Sequence, residues 1–349
     1  MKVLMKGNEA VSEAAIRAGC KAFFGYPITP QNEIPEYMSQ KMEASGGCFV
    51  QAESEVAAIN MIYGAATTGT RVMTSSSSPG IALKQEGISF MCAADLPCLI
   101  VSVSRSGPGL AGILPSQGDY FQATRGGGNG DYFIPVYAPN GVQEATDFVQ
   151  KAFDVAEKYR TPVMVLVDGM LGQMMEPVEF KKPVINEYDK SWVVGARSGR
   201  ERNVINSLNL LPESLEQTNI TRFRKYDEII ANETLFESTV ADGDEVAVVA
   251  YGTPARIAVN SIEELRADGI KAGLIRPITL WPFPEAAFAK LPASVKHIVV
   301  VELSQGQMVQ DVKLAVGGRL PVHFYGRCGG MVFESSEIAG QVKKIVRGE

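Results

Sequence analysis

Lys21-Ala22-Phe23-Phe24-Gly25-Tyr26-Pro27-Ile28-Thr29-Pro30 carries the pattern on which the fold turns: an apolar, aromatic run too short for a helix, ended at once by glycine and proline. Such a run reads as a buried strand. Similar runs stand at residues 48–52, 71–75, 97–103, 133–138 and 162–168, most of them followed closely by Gly, Pro, Ser or Asn. Between them Glu55, Ala58, Ile59, Ile62 and Ala66 recur at helical spacing, as do Val142, Ala145, Phe148, Ala152 and Val155. Strands alternating with amphipathic helices predict an open, mostly parallel sheet flanked by helices.

Working outward, the rhythm fades over residues 181–239, a stretch rich in Asn, Arg and Glu, which reads as an irregular linker or a partner-facing segment. It resumes with strands at 245–251, 271–275, 297–301 and 321–325 and helices near 255–268, 305–316 and 335–346. A chain of 349 residues exceeds what one core usually serves. The expected organisation is therefore α/β throughout, with one unit over 1–180, the linker over 181–239 and a smaller unit over 240–349.

The net charge of −6, with 33 basic and 39 acidic residues spread along the chain, leaves no basic stripe for nucleic acid. No run approaches the ~20 apolar residues of a membrane span, and the N-terminal apolar stretch is too short for a signal peptide, so a cytoplasmic protein is expected. Five cysteines without C-x-x-C spacing argue against disulfides, a zinc knuckle or an iron–sulfur cluster held by this chain. His297 and His323 are the only histidines, and His297 opens an apolar run, where an imidazole at the core edge is the simpler reading.

Two glycine motifs invite phosphate readings. Gly107-Pro108-Gly109-Leu110-Ala111-Gly112 fits a dinucleotide fingerprint, but Pro115 to Gly118 interrupt the helix that must follow. Gly126-Gly127-Gly128-Asn129-Gly130-Asp131 lacks the Lys-Ser or Lys-Thr pair of a P-loop, and close approach of backbone to backbone or to a subunit suits it better.

The ordered series Phe24 to Pro30, Gln51-Ala52-Glu53-Ser54-Glu55-Val56-Ala57-Ala58, Thr74 to Gly80, Val101 to Pro108, Pro115-Ser116-Gln117-Gly118-Asp119 and Gly128 to Asp131 resembles the pyrimidine-binding domain of 2-oxoacid:ferredoxin oxidoreductases. Gly243 to Gly252 and Arg276 to Pro282 resemble the C-terminal domain of the transketolase group. The Ser75–Ile81 turn and the Gly169–Pro177 segment look most like the branched-chain type, which acts on 2-oxoisovalerate (3-methyl-2-oxobutanoate).

The resemblance implies a thiamine diphosphate site in which Glu55 faces the pyrimidine ring nitrogen, buried beside apolar groups, with Pro27 and Ile28 as further cofactor contacts. It implies that Thr29 and Arg105 meet the 2-oxoacid carbonyl and carboxylate, the latter suiting a planar anion that accepts two parallel bonds. Residue chemistry alone leaves other roles open: Glu55 as an ordinary first-turn acid, Thr29-Pro30 as a helix cap with proline at the first helical position, and Arg105 in a surface ion pair. Gly-Asp-Gly, the usual start of the diphosphate–metal motif, does not occur in the sequence. The resemblance therefore implies that Mg2+, the diphosphate half of the site and the iron–sulfur clusters lie on companions: a β subunit, with γ and ferredoxin-like δ subunits. Coenzyme A and ferredoxin would be substrates of the assembled complex. The same chemistry on 2-oxoglutarate or pyruvate is one alternative, and a nicotinamide dehydrogenase and a non-catalytic scaffold subunit are the rival readings of another class.

Overall fold

The computed structural model describes residues 2–184, 186–195 and 200–349; residue 1, and residues 185 and 196–199 of the expected linker, lie outside the described residues. In chain order the strands are β1 (Val3–Lys6), β2 (Ala22–Gly25), β3 (Cys48–Gln51), β4 (Val72–Ser76), β5 (Cys98–Ser104), β6 (Val136–Tyr137), β7 (Pro162–Asp168), β8 (Met175–Val178), β9 (Phe236–Ser238), β10 (Val246–Val249), β11 (Ala272–Pro277), β12 (Thr279–Trp281), β13 (His297–Glu302) and β14 (Val322–Gly326).

Seven of them form one sheet in the order β12-β6-β7-β5-β4-β2-β3, parallel except where β12 runs antiparallel to β6. Every residue of β4, β5 and β7 is buried, which is why these strands read as continuous runs rather than alternating ones. Five strands form a second sheet in the order β14-β13-β10-β11-β9, parallel except for β9.

Two expectations are corrected here. The stretch 181–239 is not irregular throughout, because Pro212–Glu233 forms a 22-residue helix. Its buried positions, Arg222, Tyr226, Ile229 and Glu233, keep helical spacing, but two of the four are charged, so hydropathy hides the period. Nor does the stretch 240–349 stay with one sheet, since β12 crosses into the first. The reason is burial: Trp281 stacks on Phe133 with ring centroids 4.9 Å apart, and Tyr226 meets the same indole at 5.5 Å.

The two sheets are also joined at their carboxyl edges by one side chain. Gln117 Nε2 donates to the carbonyl of Tyr251, just beyond β10, at 2.9 Å, and its Oε1 accepts from the Leu303 amide, just beyond β13, at 2.9 Å. The Gln117 amide itself donates to the Leu303 carbonyl at 2.8 Å.

Chain order fixes where a ligand can enter. From β2 the chain steps outward to β3 and then returns to the other side of β2 for β4. In an open parallel sheet this reversal leaves a crevice beyond the carboxyl ends of the strands that flank it, β2 and β4.

Candidate thiamine site at the sheet reversal

The loops that follow β2, β3, β4 and β5 bring Thr29, Glu55, Ser76 to Ser78 and Arg105 to this carboxyl edge. The helix Glu55–Ala66 begins where it does because Ser54, in extended backbone, caps it by accepting from the Ala57 amide at 3.2 Å. Glu55 is thereby the first helical residue, on the stripe with Ala58, Ile59, Ile62 and Ala66, and only 5% exposed, whereas Glu53 points to solvent.

Glu55 Oε1 accepts from the Ser76 hydroxyl at 3.3 Å, while Oε2 takes no hydrogen bond from the described residues. A buried carboxylate with one open acceptor fits a ring nitrogen of a bound cofactor. Gly80 makes the arrangement possible: a Cβ there would stand 2.4 Å from Glu55 Oε1 and 2.0 Å from Ser76 Oγ. The expected apolar surroundings of Glu55 are corrected, for its Oε1 accepts from the Ser76 hydroxyl and its charge acts on the fully buried Lys84.

Arg105 is 7% exposed and makes no ion pair among the described residues, which sets aside the surface-pair reading. Its Nη1 donates to the Thr29 carbonyl at 2.9 Å and its Nη2 to the Leu110 carbonyl at 3.2 Å, while Nε is buried without a partner among the described residues. Thr29 is half-buried, and its hydroxyl accepts from Asn32 Nδ2 at 3.5 Å. The helix expected to start at Thr29-Pro30 begins instead at Glu33 with Asn32 in the cap position, so Thr29 caps nothing. Pro27 is exposed and Ile28 half-buried on the same loop.

The end of β4 links the two halves of the site. Ser76 holds Glu55; Ser78 accepts from the Arg105 amide at 2.9 Å and donates to Asp119 Oδ2 at 2.5 Å. Burial raises the Asp119 carboxyl above the ordinary range, opposed by its bonds to serine and by the Arg105 charge. The segment Gly169–Pro177 lies against the loop after β2, since Gln173 Nε2 donates to the Pro30 carbonyl at 3.2 Å.

Sequence reasoning missed Lys84 and the bridging role of Gln117. The first has a signal, a lone lysine four residues after Gly80 on a helix whose facing side is otherwise apolar or small. The second has none, because its partners are backbone atoms far away in sequence.

Neither glycine motif forms a phosphate cradle that opens a helix. Residues 107–112 run as bends and loop without entering one. Gly127 and Gly128 lie on the helix Ser78–Ala93, where a Cβ on Gly128 would stand 2.6 Å from the Gln85 carbonyl oxygen. Among the described residues no three His, Cys, Asp or Glu side chains gather as a metal site, and no helix is long and apolar enough to cross a membrane.

Two α/β units joined at their carboxyl edges give the chain a transketolase-like fold. A split-gene transketolase, solved as an inactive β4 tetramer, superposes with a TM-score of 0.61 over 98% of both chains at 14% identity, which speaks for the fold. Residues 13–222 match the family of pyruvate flavodoxin/ferredoxin oxidoreductases, thiamine diphosphate-binding domain, and residues 244–338 match core domain II of pyruvate:ferredoxin oxidoreductase. The chain is 46% identical to the ketoisovalerate oxidoreductase subunit VorB of Methanothermobacter thermautotrophicus, over 98% of this chain and 97% of that one. It is 35% identical to the 2-oxoglutarate synthase subunit KorA of Methanocaldococcus jannaschii, over 97% and 98%. A 2-oxoglutarate:ferredoxin oxidoreductase from Magnetococcus marinus, solved with 2-oxoglutarate, coenzyme A and succinyl-CoA bound, superposes with a TM-score of 0.89 at 29% identity. That alignment covers 98% of this chain and 65% of the longer one, so the chain spans about two thirds of its solved relative. The chain belongs to the 2-oxoacid:ferredoxin oxidoreductase family, as an α-type subunit.

Proposed function

We propose that this chain, within a heteromeric complex, takes part in the oxidative decarboxylation of a branched 2-oxoacid, 3-methyl-2-oxobutanoate, to its acyl-CoA and CO2 with reduction of ferredoxin. Its share is the pyrimidine-facing half of an interfacial thiamine diphosphate site. The observation that carries this is the buried Glu55 with one open carboxylate oxygen, standing at the sheet reversal with Arg105. The branched substrate rests on the higher identity to VorB, a ketoisovalerate oxidoreductase subunit, than to the 2-oxoglutarate subunit KorA, 46% against 35%.

Bound thiamine diphosphate supplies a carbon nucleophile and an electron sink. Glu55, held by Ser76 through Oε1, would face the pyrimidine ring nitrogen with Oε2 and move a proton there. Pro27 and Ile28, on the loop after β2, would supply further contacts to the cofactor. Arg105 binds the substrate carboxylate through its unpartnered Nε edge, and Thr29, locked to Arg105 through its carbonyl, meets the 2-oxo oxygen. On this reading a β subunit would contribute the diphosphate half with Mg2+, the iron–sulfur clusters would lie on companion γ and ferredoxin-like δ subunits, and coenzyme A and ferredoxin would be substrates of the complex.

Reconstitution with its companions tests this. The complex is expected to reduce viologen fastest, by specificity constant, with 3-methyl-2-oxobutanoate among a panel of 2-oxoacids, and this chain alone to be colourless and inactive. A specificity constant highest for 2-oxoglutarate overturns the substrate; activity in a preparation holding only this polypeptide overturns the interfacial site.

A further inference from the structure

Lys84 is fully buried, yet among the described residues its ammonium makes a single hydrogen bond, to Thr74 Oγ1 at 2.8 Å. The Thr74 hydroxyl spends its own proton on the Phe24 carbonyl at 2.7 Å, so it serves Lys84 purely as a neutral acceptor. One neutral acceptor does not compensate a cation removed from water. A negative charge must face it.

Backbone geometry supplies one. Thr74 and Ser76 are two residues apart on β4 and project from one face, the first toward Lys84 and the second toward Glu55. Gly80 and Lys84 are four residues apart on the helix Ser78–Ala93 and share one side, and Gly80 abuts the Glu55 carboxylate. The two charged groups thus adjoin the same strip of strand and helix. The titratable groups that act on Lys84 are Glu55, from the helix Glu55–Ala66, and Cys98, from β5. Burial pushes the Cys98 thiol far up, so it stays neutral and Glu55 is left as the counter-charge.

We infer that Lys84 is a positioning residue for Glu55, a buried ammonium that compensates the carboxylate and so governs how readily that carboxylate yields a proton to the cofactor ring. The inference rests on the reading of Glu55 as the acid that faces the pyrimidine. A cation beside a carboxyl favours its charged form, which leaves the shared proton on the ring nitrogen. Replacing Lys84 therefore changes proton placement without removing any group that touches cofactor or substrate.

The test has two arms. In the full chain without cofactor, 13C-labelled lysine reports the Lys84 titration, whose midpoint is held at about 8 by burial and supported by the Glu55 charge. In Glu55→Gln this midpoint is expected to fall by one pH unit or more, a tenfold loss of proton affinity, whereas Glu53→Gln leaves it in place. In the reconstituted complex, Lys84→Met, with Lys84→Gln as a second variant should the first fail to fold, is expected to slow exchange of the thiazolium proton about tenfold or more and to abolish the inflection near 8 in its pH profile. An unchanged Lys84 midpoint in Glu55→Gln overturns the coupling whatever Glu55 does for the cofactor. A shifted midpoint together with normal thiazolium exchange in Glu55→Gln overturns the cofactor reading of Glu55, and the functional half of the inference with it.

Discussion

Arg105 donates through Nη1 to the carbonyl oxygen of Thr29 at 2.9 Å, tying the loop after β5 to the loop after β2 across the intervening β4. The same side chain therefore orders the loop after β2 and, in the proposed site, supplies the cation for the substrate carboxylate. In Arg105→Ala both are lost. With charge-assisted bonds worth ~1.5–3 kcal/mol, kcat/KM for the 2-oxoacid is expected to fall by roughly 10–10² or more, mostly through KM. Steady-state kinetics of the complex with varied 2-oxoacid checks this; an unchanged KM removes Arg105 from the substrate site.

Gly80 touches both Glu55 and Ser76, and a methyl group there would overlap them at 2.4 and 2.0 Å. Gly80→Ala is expected to cost about 1–3 kcal/mol of stability by overpacking and to displace the carboxylate. Thermal unfolding and cofactor affinity, measured on the same preparation, are expected to fall together. Wild-type values for both contradict the close packing.

Gln117 is 3% exposed and bonds to backbone beyond both β10 and β13. Gln117→Leu keeps the bulk but strands the Leu303 amide and leaves the Tyr251 carbonyl with the Ala255 amide at 3.4 Å alone. At ~1–3 kcal/mol for the unpaired amide and ~0.5–1.5 kcal/mol for the other lost bond, a loss of about 2–4 kcal/mol is expected. Denaturant unfolding is expected to show it, with proteolysis between the two sheets rising in parallel; a loss below about 1 kcal/mol means the bridge contributes little.

Burial holds Lys84 at about 8, below its ordinary 10.5. Between those values the unfolded chain keeps a proton that the folded chain has released, so this residue makes stability rise with pH across the window. Below about 8 both states are protonated and the cost of burial is present in full, on the order of 3 kcal/mol at ~1.36 kcal/mol per pH unit. The stability difference between wild type and Lys84→Met is therefore expected to shift in favour of wild type by about that amount between pH 7 and 10.5. A difference that stays flat over the same range contradicts a buried, charged lysine at neutral pH.

Much of this arrangement is legible in residue order. The apolar runs of β4, β5 and β7 announce a parallel sheet, and the stripe from Glu55 to Ala66 sets the phase that buries Glu55 and exposes Glu53. What hydropathy hides is burial of charge: Arg222 and Glu233 occupy the inner side of the helix Pro212–Glu233, and Lys84 sits at no exposure within an α/β core. Partnership across sheets is equally silent. The pairing of β12 with β6 and the Gln117 bridge join residues more than a hundred positions apart, and local periodicity carries no trace of them.

In the proposed site Glu55, not its neighbour Glu53, is the acid that activates the cofactor. Glu55→Gln keeps the shape and the Ser76 bond but removes the exchangeable carboxyl proton, so exchange of the thiazolium proton in the reconstituted complex, followed by NMR, is expected to slow by about 10²–10⁴ while substrate binding and assembly persist. Glu53→Gln, at an exposed position, is expected to exchange at the wild-type rate. Normal exchange in Glu55→Gln with failure in Glu53→Gln would contradict the account and move the site by two residues.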